Sequence, residues 1–506
     1  MADTKREIER KFEFTSAATK RLPDLTGTAG ITAVRRQGTA RLDAVYYDTH
    51  DLRLAADGLT LRRRTGGADE GWHLKLPVSP GVRDEIAAPL GDGAVPRALA
   101  SLLRSRTREA ELAPQVRLLS KRKVRHLLDA HGTLLAELST DTVTAERGPA
   151  TAAWTEVEVE LADGADPALL DAVEKTFRTA GLKVSAAPSK LARALAETGA
   201  APPARPAPGP ADGTAGARVL AYLRQQREAL LTHDPAVRRD LPDSVHQMRV
   251  ATRRLRSALA TYRSVLDRTA TDPLRAELRW LAAELGVDRD QEVLRERLHT
   301  RLGELDVTLL LGPVRARLRI WDTVRRTESR LRALAALDSE RYLALLDSLD
   351  ALLADPPLRK AASRPAAKVL AKAVRRDHDR LARKVERALA RGAGHERDLA
   401  LHEARKAAKR ARYAADAAAP ALGKPAERLA KATKKVQTLL GDHQDSVVAR
   451  EALRGLAVQA AGAGESAFTW GLLYGREETL AERYERQLPK LWKKTSARGA
   501  AFARGR

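Results

Sequence analysis

Glu7-Ile8-Glu9-Arg10-Lys11 decides how the first part of the chain is built. Side chains of a strand alternate between faces, so Glu7, Glu9 and Lys11 share one face while Ile8 and Arg10 take the other. Glu156-Val157-Glu158-Val159-Glu160 repeats the device, with acids on one face and valines on the other. Between the two runs lie many basic residues on strand-like segments. A closed sheet lined by both signs of charge is what a metal-bound polyanion needs.

At 506 residues the chain is too long for one hydrophobic core and is expected to divide into two or three domains. No apolar run reaches the roughly 18 residues of a membrane span. The first residues are charged and lack the apolar stretch of a leader, so a cytoplasmic protein is expected. The sequence has no cysteine, which excludes disulfides, thiolate metal sites and cysteine nucleophiles. Any metal must then be held by oxygen or imidazole. A net charge of +24 and a pI near 10.4 predict affinity for an extended polyanion. Aromatics are only 4% of residues, too few to stack many bases, which favours a polyanion without bases. Gly423-Lys424 is followed by Pro425, so no phosphate-binding P-loop is present. Neither zinc-finger spacing nor a recognition-helix motif occurs, and no specific nucleic-acid partner is expected.

Residues 1–198 read mainly as strands. Ala44–Tyr47, Leu59–Arg64, Trp72–Leu76, Gln115–Leu118, Lys123–Leu128 and Leu134–Leu138 are short, alternating or apolar, and set apart by Gly, Asp or Pro. Helices are expected near Pro96–Ser105 and Pro167–Thr179. The pattern predicts an α+β domain with an antiparallel sheet closed into a barrel. Residues 199–217 are rich in Pro, Ala and Gly and read as a linker. From Arg218 to about 495, Ala, Leu, Arg, Glu and Lys recur at helical spacing, which predicts an all-α bundle.

That helical half repeats itself, in units of about 218–360 and 366–495. His246 and His402 are each followed by basic residues three, seven, eight and ten positions on: Arg249, Arg253, Arg254 and Arg256 in one case, Arg405, Lys409, Arg410 and Arg412 in the other. Leu285-Gly286 to Asp290 then matches Leu440-Gly441 to Asp445, and Val293 matches Val448. The correspondence implies a duplicated helical unit, with its two histidine helices facing about a pseudo-twofold axis. In each unit the His and the basic residues at plus three, seven and ten share one helix face.

The first 200 residues resemble the CYTH superfamily of triphosphate tunnel metalloenzymes. The resemblance rests on Glu7, Glu9 and Lys11; Tyr46-Tyr47-Asp48-Thr49; Leu61-Arg62-Arg63-Arg64; Lys75; Arg83-Asp84-Glu85; Lys123 and Arg125; Asp141; Glu156 to Glu160; and Ser189-Lys190. It implies an eight-stranded antiparallel tunnel that holds a triphosphate end to end. Triphosphate carries about four negative charges, and Lys11, Arg62, Arg64, Lys75, Lys123, Arg125 and Lys190 would meet them as forks and point charges. Glu7 and Glu9, with two of Glu156, Glu158 and Glu160, would hold Mg²⁺ or Mn²⁺, hard cations suited to carboxylate and phosphate oxygens. Proton removal from water is open between Lys123 acting with Tyr47 and water activated by the metal. Hydrolysis of a terminal phosphoanhydride follows from the resemblance.

The second half resembles the CHAD domain, an α-helical module associated with inorganic polyphosphate and often fused to a CYTH domain. Lys368 to Arg412 holds 15 Lys or Arg against 6 Asp or Glu, a strong positive field. His246, Arg249, Arg253, Arg256, His402, Arg405, Lys409 and Arg412 are the expected polyphosphate contacts. The histidines would hydrogen-bond phosphate, form a metal pair, or pack against the opposite Asp290 or Asp445. The expected protein is a triphosphatase fused to a polyphosphate-binding bundle, with association to polyphosphate granules and a homodimer both open. A non-catalytic polyphosphate binder and an adenylyl cyclase are the alternatives.

Overall fold

The alternation that begins at Glu7 is realised in a closed sheet. The computed structural model describes residues 3–15, 21–200 and 210–504, with backbone alone at 3, 287–290, 325 and 326. It divides into two compact units, residues 1–205 and 206–506.

In the first unit the strands are β1 (Asp3–Phe14), β2 (Ala33–Asp48), β3 (Thr60–Thr65), β4 (Gly71–Ser79), β5 (Val82–Ala88), β6 (Ala113–Leu128), β7 (Leu134–Arg147), β8 (Ala150–Leu161) and the short β9 (Leu182–Val184). Helices α1 (Arg53–Ala56), α2 (Arg97–Thr107), α3 (Ala168–Thr179) and α4 (Lys190–Glu197) intervene. The strand order β5-β4-β3-β2-β6-β7-β8-β1 is closed by pairing of β5 with β1, all antiparallel, and β9 extends the far end of β1. The expected eight-stranded barrel is present. The two strands expected at 115–118 and 123–128 are one: no Gly or Pro interrupts Leu119-Ser120-Lys121-Arg122, so β6 runs through.

The apolar cores lie mostly outside this barrel. Val157 and Val159 turn outward and pack with Phe12, Leu138 and the α3 residues Val173 and Phe177. Leu61, Leu74 and Ile86 likewise pack beneath Leu99 and Leu103 of α2. Each such fully buried side chain contributes about 1.5–3 kcal/mol, which offsets the cost of a charged interior. Inside, the charges give way toward one end to Ala44, Val116, Leu118, Val143 and Trp154, and α4 seals that end with Leu191, Ala194 and Leu195. Helix α4 starts sharply because Ser189 Oγ accepts the Ala192 N–H at 3.0 Å.

The second unit holds α5 (Ala215–Arg238), α6 (Ser244–Thr261), α7 (Arg268–Gly303), α8 (Val314–Asp338), α9 (Glu340–Ala354), α10 (Ala366–Leu389), α11 (His395–Leu422), α12 (Lys424–Gly462) and α13 (Phe468–Arg504). Helix α5 begins inside the stretch expected to be linker, because Thr214 Oγ1 caps the Ala217 N–H at 3.3 Å. Residues 201–209 of that stretch lie outside the described residues. The starts of α5 and α10 are tied together by Ala215 N–H to Arg364 O at 2.9 Å and Ala366 N–H to Gly213 O at 2.9 Å. His246 sits on α6 and His402 on α11, which touch where the Tyr262 hydroxyl donates to Ala414 O at 3.0 Å.

A candidate active site inside the barrel and a basic helical face

One inner wall of the barrel is a three-carboxylate cluster. Asp141 and Glu156 are register partners on β7 and β8, and Glu158 lies two residues further along β8. Their carboxylates converge closely enough to share one cation, and all three residues are buried. Lys190, the first residue of α4, places its ammonium 3.0 Å from Asp141, 2.8 Å from Glu156 and 2.6 Å from Glu158. Burial alone would lower the Lys190 ammonium, but Glu158, Asp141 and Glu156 outweigh it and raise its pKa well above the ordinary value. Arg122 braces the cluster with two bonds to Asp141, at 2.8 and 2.7 Å, and one to Glu158 at 3.0 Å. Trp154 Nε1 donates to Glu156 at 2.7 Å. Lys11 lies between Glu158 and Glu9, 3.2 Å from the latter. Burial raises both carboxylates, but Lys11 first and then the other cations carry Glu9 and Glu158 below their usual pKa.

The opposite wall is built from β3, β4, β5 and the start of β1. Lys75 Nζ lies 2.5 Å from Glu7, and His73 Nδ1 lies 2.8 Å from Glu85. Burial and a hydrogen bond with Glu85 push the Glu7 carboxyl up to about 7. Burial would also raise Glu85, yet its bonds from His73 and Glu7, with Lys75 and Arg62 nearby, hold it far below the carboxylate range. The two acids thus share one proton that rests on Glu7. Burial and the neighbouring Arg62 and Arg122 push the Arg64 guanidinium down to about 9. Arg64 is paired with the exposed Asp69 carboxylate, and a positive group crowded by other cations also attracts an added anion. Burial raises the Tyr46 hydroxyl, but Arg62 and then Lys190 and Lys75 carry it below the usual phenol value. Among the described residues, seven Lys or Arg and six Asp or Glu line this cavity.

Of the residues expected from sequence, Glu7, Glu9, Lys11, Arg62, Arg64, Lys75, Glu158, Glu160 and Lys190 line the cavity, and Glu156 stands behind Lys190. Glu7 faces Lys75 and Glu85 rather than the carboxylate cluster, and Glu160 pairs with Lys5 at 2.6 Å on a more exposed part of β8. Lys123 and Arg125 are not brought in. Strand alternation turns Arg122 inward, so Lys123 is exposed and Arg125 lies on the outer face beside Leu138. Tyr47 is likewise outside, against Trp72, while Tyr46 faces in. Arg122, Tyr46, Glu85, His73, Arg83 and Asp69 are among the inner residues that the sequence reading did not assign, and Asp141 was not expected among the metal ligands. The Arg-x-Glu spacing of Arg83 and Glu85 was the available signal for two of them.

On the helical unit, His246, Arg249, Arg253 and Arg256 are all half-buried along one side of α6, and His402, Arg405, Lys409 and Arg412 along one side of α11. Burial and the adjacent Arg279, Arg275 and Arg253 push Arg256 below its ordinary pKa, so four guanidinium groups crowd there. His402 Nδ1 meets Gln444 Oε1 at 2.6 Å, while Asp445 takes Arg405 at 3.7 Å. His402 is thus bonded to an amide of the Leu440–Asp445 corner. The side chain of Asp290, the other expected partner, lies outside the described residues. Arg410, one of the repeat's basic residues, is committed to structure: it bonds Asp377 at 3.1 Å and the Ala260 carbonyl at 2.7 Å.

The CYTH domain family matches residues 5–195 and the CHAD domain family residues 221–454. Uncharacterized protein MT2285 of Mycobacterium tuberculosis (strain CDC 1551 / Oshkosh) is 42% identical over 509 residues, covering 95% of this chain and 94% of the relative. Among solved structures, PptA from Streptomyces chartreusis is 26% identical with a TM-score of 0.46, over 55% of this chain and 99% of that one. The CHAD domain from the plant Ricinus communis is 25% identical with a TM-score of 0.42, over 60% of this chain and 96% of that one. With both families matched in order, and a relative similar along nearly the whole length, the chain belongs to the CYTH–CHAD family, a CYTH domain followed by a CHAD domain in one polypeptide.

Proposed function

We propose that the barrel hydrolyses inorganic triphosphate or a related triphosphate with Mg²⁺ or Mn²⁺, and that the helical unit binds inorganic polyphosphate. The observation that carries the first part is the division of one closed interior into a cationic wall and a three-carboxylate cluster. Arg62, Arg64, Lys75, Arg83, Lys11 and Arg122 bind the phosphate oxygens and fix the chain's position along the barrel. Arg122 is pinned by Asp141, so its fork is oriented before the substrate arrives.

The cluster fits a hard divalent cation. Its donors are all carboxylate oxygens, and the Lys190 ammonium already lies at 2.6 to 3.0 Å from Asp141, Glu156 and Glu158. Asp141, Glu156, Glu158 and the adjoining Glu9 would hold the metal, which would neutralise charge on the phosphoryl group at transfer. Glu7 with Glu85 holds a proton at the other wall, and the Glu7 carboxyl, near 7, is able to exchange it with bound water or product at neutral pH. Neither Lys123 nor Tyr47 takes part.

Polyphosphate binding by the helical unit is supported by the crowded guanidinium groups around Arg256 and by the matching row on α11. A chain of phosphates neutralises Arg249, Arg253 and Arg256 together with Arg405, Lys409 and Arg412, with His246 and His402 beside them on the same helix faces, and affinity falls steeply with salt. The test is phosphate release from inorganic triphosphate by the full chain, with and without metal, alongside titration with long-chain polyphosphate. Metal-dependent release and salt-sensitive binding are expected. Binding without release would reduce the protein to a polyphosphate binder.

A further inference from the structure

We propose that Asp398, His443 and Glu485 form a site for one divalent transition-metal cation where α11, α12 and α13 meet. Asp398 comes from the first turn of α11, His443 from the middle of α12 and Glu485 from α13. His443 is 2% exposed, and its Nε2 points between the two carboxylates, 3.4 Å from Asp398 Oδ1 and 3.2 Å from Glu485 Oε1. The three atoms all lie within 4.8 Å of one another.

Each carboxylate is held from outside by its other oxygen. Arg450 bonds Asp398 Oδ2 at 3.1 Å, and Arg397 Nε lies 3.2 Å from Glu485 Oε2. The inner oxygens are therefore turned toward the imidazole, in the way that outer-sphere partners orient the ligands of a metal. A single N–H at Nε2 serves one of these oxygens well and leaves the other at hydrogen-bond distance without a proton. A metal on Nε2 instead places the ring proton on Nδ1, a buried atom with no hydrogen-bond partner among the described residues, a cost that the three bonds to the cation must offset. A cation seated among Nε2, Oδ1 and Oε1 satisfies all three atoms at once. One imidazole and two carboxylates make a mixed nitrogen and oxygen set, which suits Zn²⁺ or Mn²⁺ over Ca²⁺. The site is separate from the carboxylate cluster of the barrel, and it would clasp α11, which carries His402 and Arg405, to α12 and α13.

The test uses Zn²⁺ itself on the full chain. After loading and gel filtration, bound zinc is counted by elemental analysis for the wild type, His443→Gln, Asp398→Asn and, as a control on an exposed histidine, His299→Gln. The inference expects His443→Gln and Asp398→Asn each to lose one equivalent that His299→Gln retains, with the remaining equivalents unchanged. It also expects Co²⁺ loaded in place of zinc to show a visible absorption band that both variants lack. If His443→Gln fails to fold by circular dichroism, Asp398→Asn carries the comparison. Equal zinc content in the wild type and the folded variants would overturn the site, as would loss of the same equivalent from His299→Gln.

Discussion

Arg122 donates two parallel hydrogen bonds to Asp141, at 2.8 and 2.7 Å, and the two residues are direct register partners on β6 and β7. The pair fixes a guanidinium fork at the boundary between the cationic wall and the acid cluster. Replacing Arg122 with Ala removes that fork and leaves Asp141 and Glu158 short of a counter-charge. Hydrogen bonds to charged groups are worth about 1.5–3 kcal/mol, so kcat/KM for triphosphate should fall about 10- to 150-fold. Arg122→Lys should recover little, because a point charge cannot reproduce the fork. Lys123→Ala, one residue away on the outer face, should change kcat/KM less than about twofold. Equal losses in the two alanine variants would contradict the inward placement of Arg122.

How far the site is legible in the sequence follows from the same residues. In Glu156-Val157-Glu158-Val159-Glu160 the valines mark the outward phase, so the inner acids are plain. Lys121-Arg122-Lys123 offers a basic residue at either parity, and Tyr46-Tyr47 an aromatic at either. There the phase is set by cross-strand partners, Arg122 by Asp141 and Tyr46 by Arg62, which local pattern does not contain. Glu85 and His73 acquire their importance only when β4 and β5 close the sheet against Glu7. The helices of the second unit were readable because their Ala and Leu spacing sets the buried side. What Asp398, His443 and Glu485 do together was not, since it depends on three helices separated by long stretches of chain.

The Glu7–Glu85 pair predicts a stability maximum in mildly acidic solution. Glu7 binds its proton more tightly folded than unfolded, so its contribution is complete below the unfolded value of 4.5 and is lost as pH rises through about 7. Glu85 is shifted the other way, so its contribution is present above 4.5 and is lost as pH falls below it. Tm measured in EDTA should therefore peak between these limits. Glu7→Gln should remove the alkaline decline, a difference on the order of 1–3 kcal/mol between pH 5 and 8. Parallel pH profiles for the wild type and Glu7→Gln would contradict the shared proton.

Polyphosphate binding should weaken with salt according to the number of phosphates neutralised. Arg256→Ala and Arg405→Ala in the full chain should each reduce the slope of log K against log salt by about 1. Fluorescence titration of labelled long-chain polyphosphate at several salt concentrations measures the slopes. A slope unchanged in both variants would place the polyanion elsewhere.

Gly499 on α13 should not accept a side chain. A Cβ there would overlap Nε2 of His378, a buried ring stacked on Trp492 at 5.8 Å. The helix-propensity gain of Gly499→Ala is about 1 kcal/mol, whereas overpacking a fixed neighbour costs typically about 1–3 kcal/mol. The contact is severe enough that the cost should win and Tm should fall. A rise in Tm would show that His378 moves freely.

The central claim is that the barrel works as a metal-dependent triphosphatase, and phosphate release from inorganic triphosphate by the full chain tests it most directly. The assay compares the wild type with Glu9→Gln/Glu158→Gln, in Mg²⁺, in Mn²⁺ and in EDTA. The account predicts release that requires the metal and is lost in the double variant, with both proteins still folded and still binding polyphosphate. No release by the folded wild type in either metal, or release undiminished in EDTA or in the double variant, would contradict it.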